Sequence, residues 1–230
     1  MSGQVETVAP LNPPSRIFCG VPQGMQGIVL AELAQSRLSE APDAPVSLVF
    51  VARDGPRMQR LADVLRQIVP GHPVLTLPAW DCLPYDRVSP NAITIAARMN
   101  TLAALANPRT SGAIVLTAAN ALFQRLPPRR IVSEMSFEAE AGAVVQSGGL
   151  VDWATANGYL RVPTVREAGE FTVRGGLIDL FPAGRDAPLR FDFFGSVLET
   201  IRTFDPDNQR TTGSLPAISL VPMSEIILTP

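Results

Sequence analysis

The stretch EFTVRGGLIDLF, residues 170–181, contains two short runs of apolar and β-branched residues separated by two glycines. Each run has the length of a strand, and Gly175-Gly176 supplies the backbone freedom that a tight two-residue hairpin turn requires. The stretch therefore predicts a β-hairpin, with strands at 170–173 and 177–181. Arg174 lies at the turn of this hairpin.

Two more strands are predicted downstream of the hairpin, at 189–194 and 197–204. In the first of them the sequence RFDFF alternates charged with aromatic residues, as a half-buried strand does. A short helix is predicted upstream, at 150–157, and it ends at Gly158. Together these elements predict a small α+β domain.

Strands and helices alternate in the first 125 residues. VSLVFVA, residues 46–52, is a continuous apolar run typical of a strand that is covered on both faces. This alternation predicts a parallel sheet in an α/β layer. The predicted strands are 16–19, 46–52, 73–77 and the first part of 113–123, and the predicted helices are 24–37, 57–69 and 93–105.

The kinds of basic residue restrict the chemistry of this chain. All 19 basic residues are arginines, and His72 is the single histidine. The chain therefore has no P-loop lysine, no Schiff-base lysine and no lysine general base. One histidine also excludes a histidine-based metal cluster. We expect no catalytic residue and no metal site.

Charge, cysteine use and hydropathy bound the class of protein. The acidic isoelectric point of about 5.5 argues against a strong non-specific DNA binder, which normally carries a basic face. Cys19 and Cys82 stand outside any C-x-x-C spacing, which is typical of reduced thiols in the cytosol. No secretory signal is visible, and no apolar run approaches the ~18–20 residues that span a membrane. We expect a cytoplasmic protein with no membrane partner.

The segment GVPQGMQG, residues 20–27, occupies the position of a phosphate-binding loop, between the first predicted strand and the first helix. In the pattern G-x-x-x-x-G-K-[ST] only Gly20 matches. Gln26 and Gly27 replace the lysine and the hydroxyl residue that handle phosphate charge and Mg²⁺. We therefore expect a degenerate loop that binds no cofactor.

Several motifs, in order along the chain, resemble one family. They are LPAWDCLPYDRVSP within 77–102, G-E-F-x-x-R-G-x-x-x-D-L-F-P at 169–182, R-x-D-F-F at 190–194, F-D-x-x-x-Q-R-T at 204–211 and I-x-L-x-P at 218–222. This set is similar to the amino-terminal region of the bacterial transcription-repair coupling factors. The second motif also resembles their paralogue, the excision-repair protein UvrB.

The resemblance implies a fold and a domain order. It implies an α/β domain with a degenerate helicase-like (P-loop NTPase-like) parallel sheet, interrupted by a smaller α+β domain. On this interpretation residues 1–125 form the helicase-like domain and residues 126–210 form the inserted domain. Residues 211–230 begin the return to the first domain, within a longer protein.

The resemblance also implies a function. The family displaces RNA polymerase stalled at DNA damage and recruits UvrA through the inserted domain, which presents a surface like that of UvrB. We therefore expect a non-catalytic module of transcription-coupled nucleotide-excision repair, with UvrA and the rest of the parent chain as partners. RNA polymerase, DNA, ATP and Mg²⁺ would be bound by translocase and polymerase-binding domains that this chain lacks.

The candidate UvrA contacts lie on and near the predicted hairpin. Arg174, Arg161 and Arg166 supply planar donors suited to carboxylates of a protein partner. Phe171 could be the apolar anchor that binding hot spots usually contain. The alternative is that Phe171 belongs to the core and that the arginines pair with the nearby acids Glu167, Glu170 and Asp179.

Two other classes of function remain open from the sequence. The chain could be a nucleotide- or DNA-binding helicase-like domain with residual activity, or a stand-alone α/β enzyme of small-molecule metabolism. The absence of lysine and the residues Gln26 and Gly27 argue against the first. The absence of paired catalytic groups argues against the second.

Overall fold

The computed structural model describes residues 18–83, 90–108 and 110–225. Its helices are α1 (Gln26–Glu40), α2 (Gly55–Ile68), α3 (Ala92–Ala106), α4 (Arg129–Met135) and α5 (Ser147–Ala156), with 3-10 turns at Gln23–Met25 and Ala119–Phe123. Its strands are β1 (Val46–Ala52), β2 (Val74–Leu77), β3 (Ala113–Ala118), β4 (Phe137–Glu140), β5 (Leu160–Arg161), β6 (Glu170–Arg174), β7 (Leu177–Leu180), β8 (Leu189–Phe194), β9 (Val197–Phe204), β10 (Thr211–Leu215) and β11 (Ala217–Leu220).

The first half of the chain forms a three-stranded parallel sheet in the order β1-β3-β2. Helices α1 and α2 pack on one face, where Ala34 and Leu65 meet Ile114 and Leu116 of the central strand. Helix α3 packs beside β2, where it contacts Leu77. The predicted parallel α/β layer is confirmed, and the chain is a mixed α/β protein with parallel and antiparallel sheets. The helicase-like, P-loop NTPase-like character of this layer stays a prediction.

Two predictions about the first strands are wrong. Val49 and Val51 of β1 are 57% and 42% exposed, so this strand is covered on one face only. Side chains alternate along a strand, and α1 and α2 cover the face that carries Leu48 and Phe50. Of the strand predicted at 16–19, the described residues 18–19 are exposed and lie in no strand, and 16–17 lie outside the described residues.

The second half of the chain forms a six-stranded sheet in the order β10-β9-β8-β7-β6-β5. All its pairs are antiparallel except β5 with β6. One face carries the apolar core, which includes Phe171, Phe191 and Ile201 and packs against Leu150 of α5. The predicted hairpin, the two strands after it and the helix before it are therefore confirmed.

A short helix and a pair of strands were absent from the sequence prediction. Helix α4 begins at Arg129, directly after Pro128, and β4 pairs antiparallel with β11. Strands β10 and β11 lie beyond the predicted boundary at residue 210, and β10 pairs with β9. The boundaries at residues 125 and 210 themselves stay predictions.

A buried ionic cluster joins the end of the described chain to α3. Arg98, which is fully buried, forms a two-pronged ion pair with Glu225, and its Nη1 donates to the carbonyl of Pro78 (2.7 Å) and to Gln124 (3.0 Å). The ring of Trp80 lies 5.5 Å from the Arg98 guanidinium carbon, and its Nε1 donates to Glu225 (3.3 Å). The segment before Glu225 is thereby attached to the first sheet region.

None of the helices in the described part of the chain has the length and the apolar character needed to cross a membrane.

Candidate partner-binding surface

The hairpin that carries the predicted contacts is formed by β6 and β7. Its turn is Gly175-Gly176, and Gly175 has a φ of +61°, a conformation that glycine adopts without strain. Arg174 is the last residue of β6 and lies opposite Leu177. The hairpin therefore presents Arg174 at its tip.

Asp179 of β7 is the centre of an ionic cluster on the polar face of this sheet. It is 1% exposed, and its carboxylate accepts hydrogen bonds from Arg174 Nη2 (2.5 Å), Arg190 Nε (2.7 Å) and Arg190 Nη2 (2.9 Å). A buried carboxylate is tolerated when charged donors satisfy its oxygens, as the two guanidinium groups do here. Asp179 therefore fixes the orientation of both arginines.

Arg190 is held between Phe204 and Asp179. Its guanidinium carbon lies 4.6 Å from the ring centroid of Phe204, and the neighbouring carboxylate of Asp179 raises the pKa of Arg190, while burial opposes that rise. Only 16% of its side chain is exposed, against 50% for Arg174. Arg174 is therefore exposed enough to contact a partner directly. The mostly buried Arg190 instead holds the carboxylate of Asp179 in place.

A second ion pair lies on the same face, between β8 and β9. Arg202 Nη2 lies 2.8 Å from Asp192 Oδ2, and both side chains are about one third exposed. Arg190 pairs directly with Arg202 in the strand register, which places the two ion pairs side by side. We call Arg174, Asp179, Arg190, Asp192 and Arg202 the charged face. Three arginines against two aspartates leave it one net positive charge.

Arg161 and Arg166 lie near one edge of the same sheet. Arg161 is an exposed residue of the edge strand β5, and Arg166 is exposed in the loop at residues 162–168. The carboxylate of Glu170 accepts hydrogen bonds from the backbone N–H groups of Arg166 (2.8 Å) and Glu167 (2.9 Å). Glu170 therefore holds the backbone of this loop.

The suggestion that Phe171 is the apolar anchor of a binding surface is corrected by its burial. Phe171 is 1% exposed and belongs to the apolar core, where it lies opposite Leu180 of β7. Its alternation with Thr172, which shares the face of Asp179, places it on the apolar side of the sheet. The alternative that Phe171 is a core residue is what the structure shows. For Arg174 the structure shows the pairing with Asp179, and the contact with a partner stays a prediction.

Three members of the charged face were absent from the sequence prediction: Arg190, Asp192 and Arg202. The alternation in RFDFF indicated that Arg190 and Asp192 share one side of a strand. That pattern alone could not show that this side faces Asp179, because the register between β7 and β8 is a long-range property.

Side chains of helix α2 contact both residues that replace the P-loop lysine and hydroxyl residue, Gln26 and Gly27. The Oε1 atom of Gln26 accepts a hydrogen bond from Arg57 Nη2 (3.1 Å). Gly27, at the position of the P-loop hydroxyl residue, is buried against α2, and a Cβ there would lie 2.7 Å from Val64 Cγ1. A serine or threonine would require Val64 to move. Across residues 18–83, 90–108 and 110–225, no group of three His, Cys, Asp or Glu side chains could hold a metal ion.

Comparisons with known proteins identify relatives of this chain. Residues 138–226 match the family described as the UvrB interaction domain. The chain is 35% identical over 213 residues to the transcription-repair-coupling factor of Myxococcus xanthus, covering 90% of this chain and 17% of the relative. It is 34% identical over 190 residues to that of Escherichia coli K12, covering 83% of this chain and 16% of the relative.

A more distant match extends the same pattern. The transcription-repair-coupling factor of Bacillus subtilis is 25% identical over 221 residues, covering 93% of this chain and 18% of the relative. The chain therefore spans about a sixth of the length of the curated relatives it matches. These matches identify the chain as a homologue of the transcription-repair-coupling factors that contains a UvrB interaction domain at residues 138–226.

Proposed function

We propose that this chain is the non-catalytic module by which a transcription-repair-coupling factor recruits UvrA to RNA polymerase stalled at DNA damage. The observation that carries the proposal is the match of residues 138–226 to the UvrB interaction domain. The hairpin and the whole charged face lie inside that range. UvrA is then bound through the kind of surface that UvrB also presents.

The chemistry of the charged face suits a protein partner that carries carboxylates. Half of the Arg174 side chain is exposed, and its contact with the buried carboxylate of Asp179 is made through Nη2. Arginine offers planar paired donors that match carboxylate geometry. Arg161 and Arg166 add two exposed guanidinium groups at the edge of the same sheet. We assign these three arginines as the UvrA contacts.

The other activities of the full-length relatives are assigned to parts outside the matched region. The chain covers about a sixth of each relative, and its one phosphate-loop-like segment is degenerate. We place RNA polymerase binding, DNA binding and Mg²⁺- and ATP-dependent translocation in the remainder of the parent protein. The module itself contributes binding only, to UvrA and to the rest of that chain.

A binding titration tests the proposal. Fluorescently labelled chain is titrated with purified UvrA, using the wild type, Arg174→Ala and the control Arg37→Ala. Arg37 is an exposed arginine of α1 that pairs with Glu40, far in sequence from the charged face. Loss of an interfacial hot-spot arginine weakens binding by at least about tenfold. We expect that loss for Arg174→Ala and an unchanged affinity for Arg37→Ala.

Two results would overturn the proposal in different ways. If the wild type does not bind UvrA, the assigned function is wrong. If Arg174→Ala binds as tightly as the wild type, UvrA is recruited through another surface.

A further inference from the structure

Gln209 has an unusual backbone conformation in the turn between β9 and β10. It has a φ of 62°, and no other described residue except glycine has a positive φ. For a residue with a long side chain, this left-handed conformation costs on the order of 1 kcal/mol. The surrounding turn enforces it, since Gln209 N donates to the carbonyl of Asp205 (2.8 Å) and Asp205 N donates to the carbonyl of Arg210 (2.9 Å).

The side chain of Gln209 connects two separate parts of the candidate surface. Its Nε2 donates to the carbonyl of Val165 (3.3 Å), in the loop at 162–168, and to the carbonyl of Pro206 (2.8 Å). Its Oε1 and its backbone carbonyl each accept from Arg190, at 3.4 Å. Gln209 thereby joins the loop that carries Arg166 to the arginine that holds Asp179.

Two side chains, those of Glu170 and Gln209, hold the backbone of the loop at 162–168. Glu170 binds the backbone N–H groups of Arg166 and Glu167, and Gln209 binds the carbonyl of the preceding residue, Val165, which is fully buried. On the other side of Gln209, Arg190 holds Asp179, which orients Arg174. Polar contacts therefore link the loop backbone at Val165, next to Arg166, through Gln209, Arg190 and Asp179 to Arg174.

We propose that Gln209 is a positioning residue that keeps the loop backbone at Arg166 and the side chain of Arg174 in one fixed arrangement, so that both arginines can meet carboxylates of the partner. The inference rests on the proposed UvrA-binding function. Preorganised donors bind more tightly than mobile ones, because less conformational freedom is lost on association. Gln209 itself touches no partner and acts through the two elements that it holds.

Gln209→Gly separates this role from a purely structural one. Glycine adopts a positive φ without strain, so relief of strain offsets the loss of the side-chain hydrogen bonds. We expect the urea midpoint to stay close to that of the wild type. We also expect amide hydrogen exchange at residues 164–167 to accelerate and UvrA affinity to fall about fivefold. Gln209→Asn, which tolerates the same backbone conformation but has too short a side chain to bridge, should show the same two changes.

The controls distinguish failure of this inference from failure of the proposed function. Gln67→Ala, at an exposed position of α2, should change neither amide exchange at 164–167 nor UvrA affinity. If the wild type binds UvrA and Arg174→Ala weakens binding, while both Gln209 variants bind like the wild type, the positioning role is wrong and the proposed function stands. If the wild type does not bind, the proposed function fails. Unchanged amide exchange at 164–167 in both variants would overturn the positioning role on its own.

Discussion

Arg190 lies opposite Asp179 in the register of β7 and β8, and its Nε and Nη2 atoms lie 2.7 and 2.9 Å from the two carboxylate oxygens. This two-pronged pair crosses from one strand to the next on the polar face of the sheet. Because Asp179 is buried, the pair fixes the position of the carboxylate that also orients Arg174. Asp179 therefore contributes both to the stability of this half of the protein and to the geometry of its candidate binding surface.

Replacement of Asp179 by alanine should destabilise the protein. The change leaves Arg190, which is 16% exposed, without its carboxylate, and loss of one partner of a buried ion pair costs about 3 kcal/mol. The free energy of unfolding, measured by urea denaturation, should fall by about that amount. The control Asp152→Ala, at an exposed position of α5, should change it by less than about 0.5 kcal/mol. A loss below about 1 kcal/mol for Asp179→Ala would show that the pair is not the anchor we describe.

The buried carboxylate of Glu225 should contribute strongly to the stability of the protein. Glu225→Gln removes the charge opposite Arg98, whose side chain has no exposure, and should lower the free energy of unfolding by about 3 kcal/mol. The matched control is Glu134→Gln, which breaks an exposed pair with Arg130 and should cost less than about 0.5 kcal/mol. Equal effects of the two substitutions in urea denaturation would contradict the buried cluster around Arg98.

Tyr159 should contribute stability that is lost at high pH. Its hydroxyl donates to the carbonyl of Val221 (2.8 Å), and burial raises the pKa of Tyr159 above the ordinary value of 10.0, while the hydrogen bond from the Ala183 N–H opposes that rise. The folded state therefore keeps this proton at a pH where the unfolded state releases it. The stabilisation that the Tyr159 hydroxyl contributes is fully present below pH 10, and it decreases as the pH rises further.

The substitution Tyr159→Phe isolates that effect. At neutral pH the variant should be less stable by about 1 kcal/mol, the value of one buried hydrogen bond. The difference from the wild type should narrow as the pH rises above 10, since all other titrating groups are the same in both proteins. Urea denaturation at a series of pH values provides the measurement. A difference that stays constant through this range would show that the Tyr159 proton is not held as described.

The degenerate loop should not bind nucleotide. Gln26 is hydrogen-bonded to Arg57, and Val64 occupies the space that a side chain at position 27 would need. Titration with a fluorescent ATP analogue in the presence of Mg²⁺ should give no saturable signal. The double substitution Gln26→Lys with Gly27→Ser should not create binding, because the serine would clash with Val64. Micromolar affinity of the wild type for the ATP analogue would disprove the prediction that this loop binds no nucleotide.

Local sequence patterns predicted much of the fold. The bounds of β1, β8 and β9 agree with their predictions, since period-two alternation and continuous apolar runs are local signals. The pairing of β4 with β11 was missed because it joins distant segments, and FEAE at 137–140 has too few apolar residues to indicate a strand. Helix α4 was missed because it has only seven residues and directly follows Pro127 and Pro128.

The candidate surface was predictable only in part. The sequence indicated Arg174 at a hairpin turn, because glycine pairs mark such turns. It could not show that Asp179 is buried between Arg174 and Arg190, since that arrangement depends on the register of three strands. The role of Gln209 was equally hidden, because its contacts with Val165 join residues that are remote in sequence.

The central claim is that this chain binds UvrA through a surface of the kind that UvrB presents. Competition measures it most directly: UvrA is saturated with fluorescently labelled chain, and unlabelled UvrB is then added while anisotropy is followed. We predict that UvrB displaces the labelled chain completely, and that excess unlabelled wild type displaces it while Arg174→Ala does not at the same concentration. A stable complex in which UvrA holds UvrB and this chain together would contradict the account.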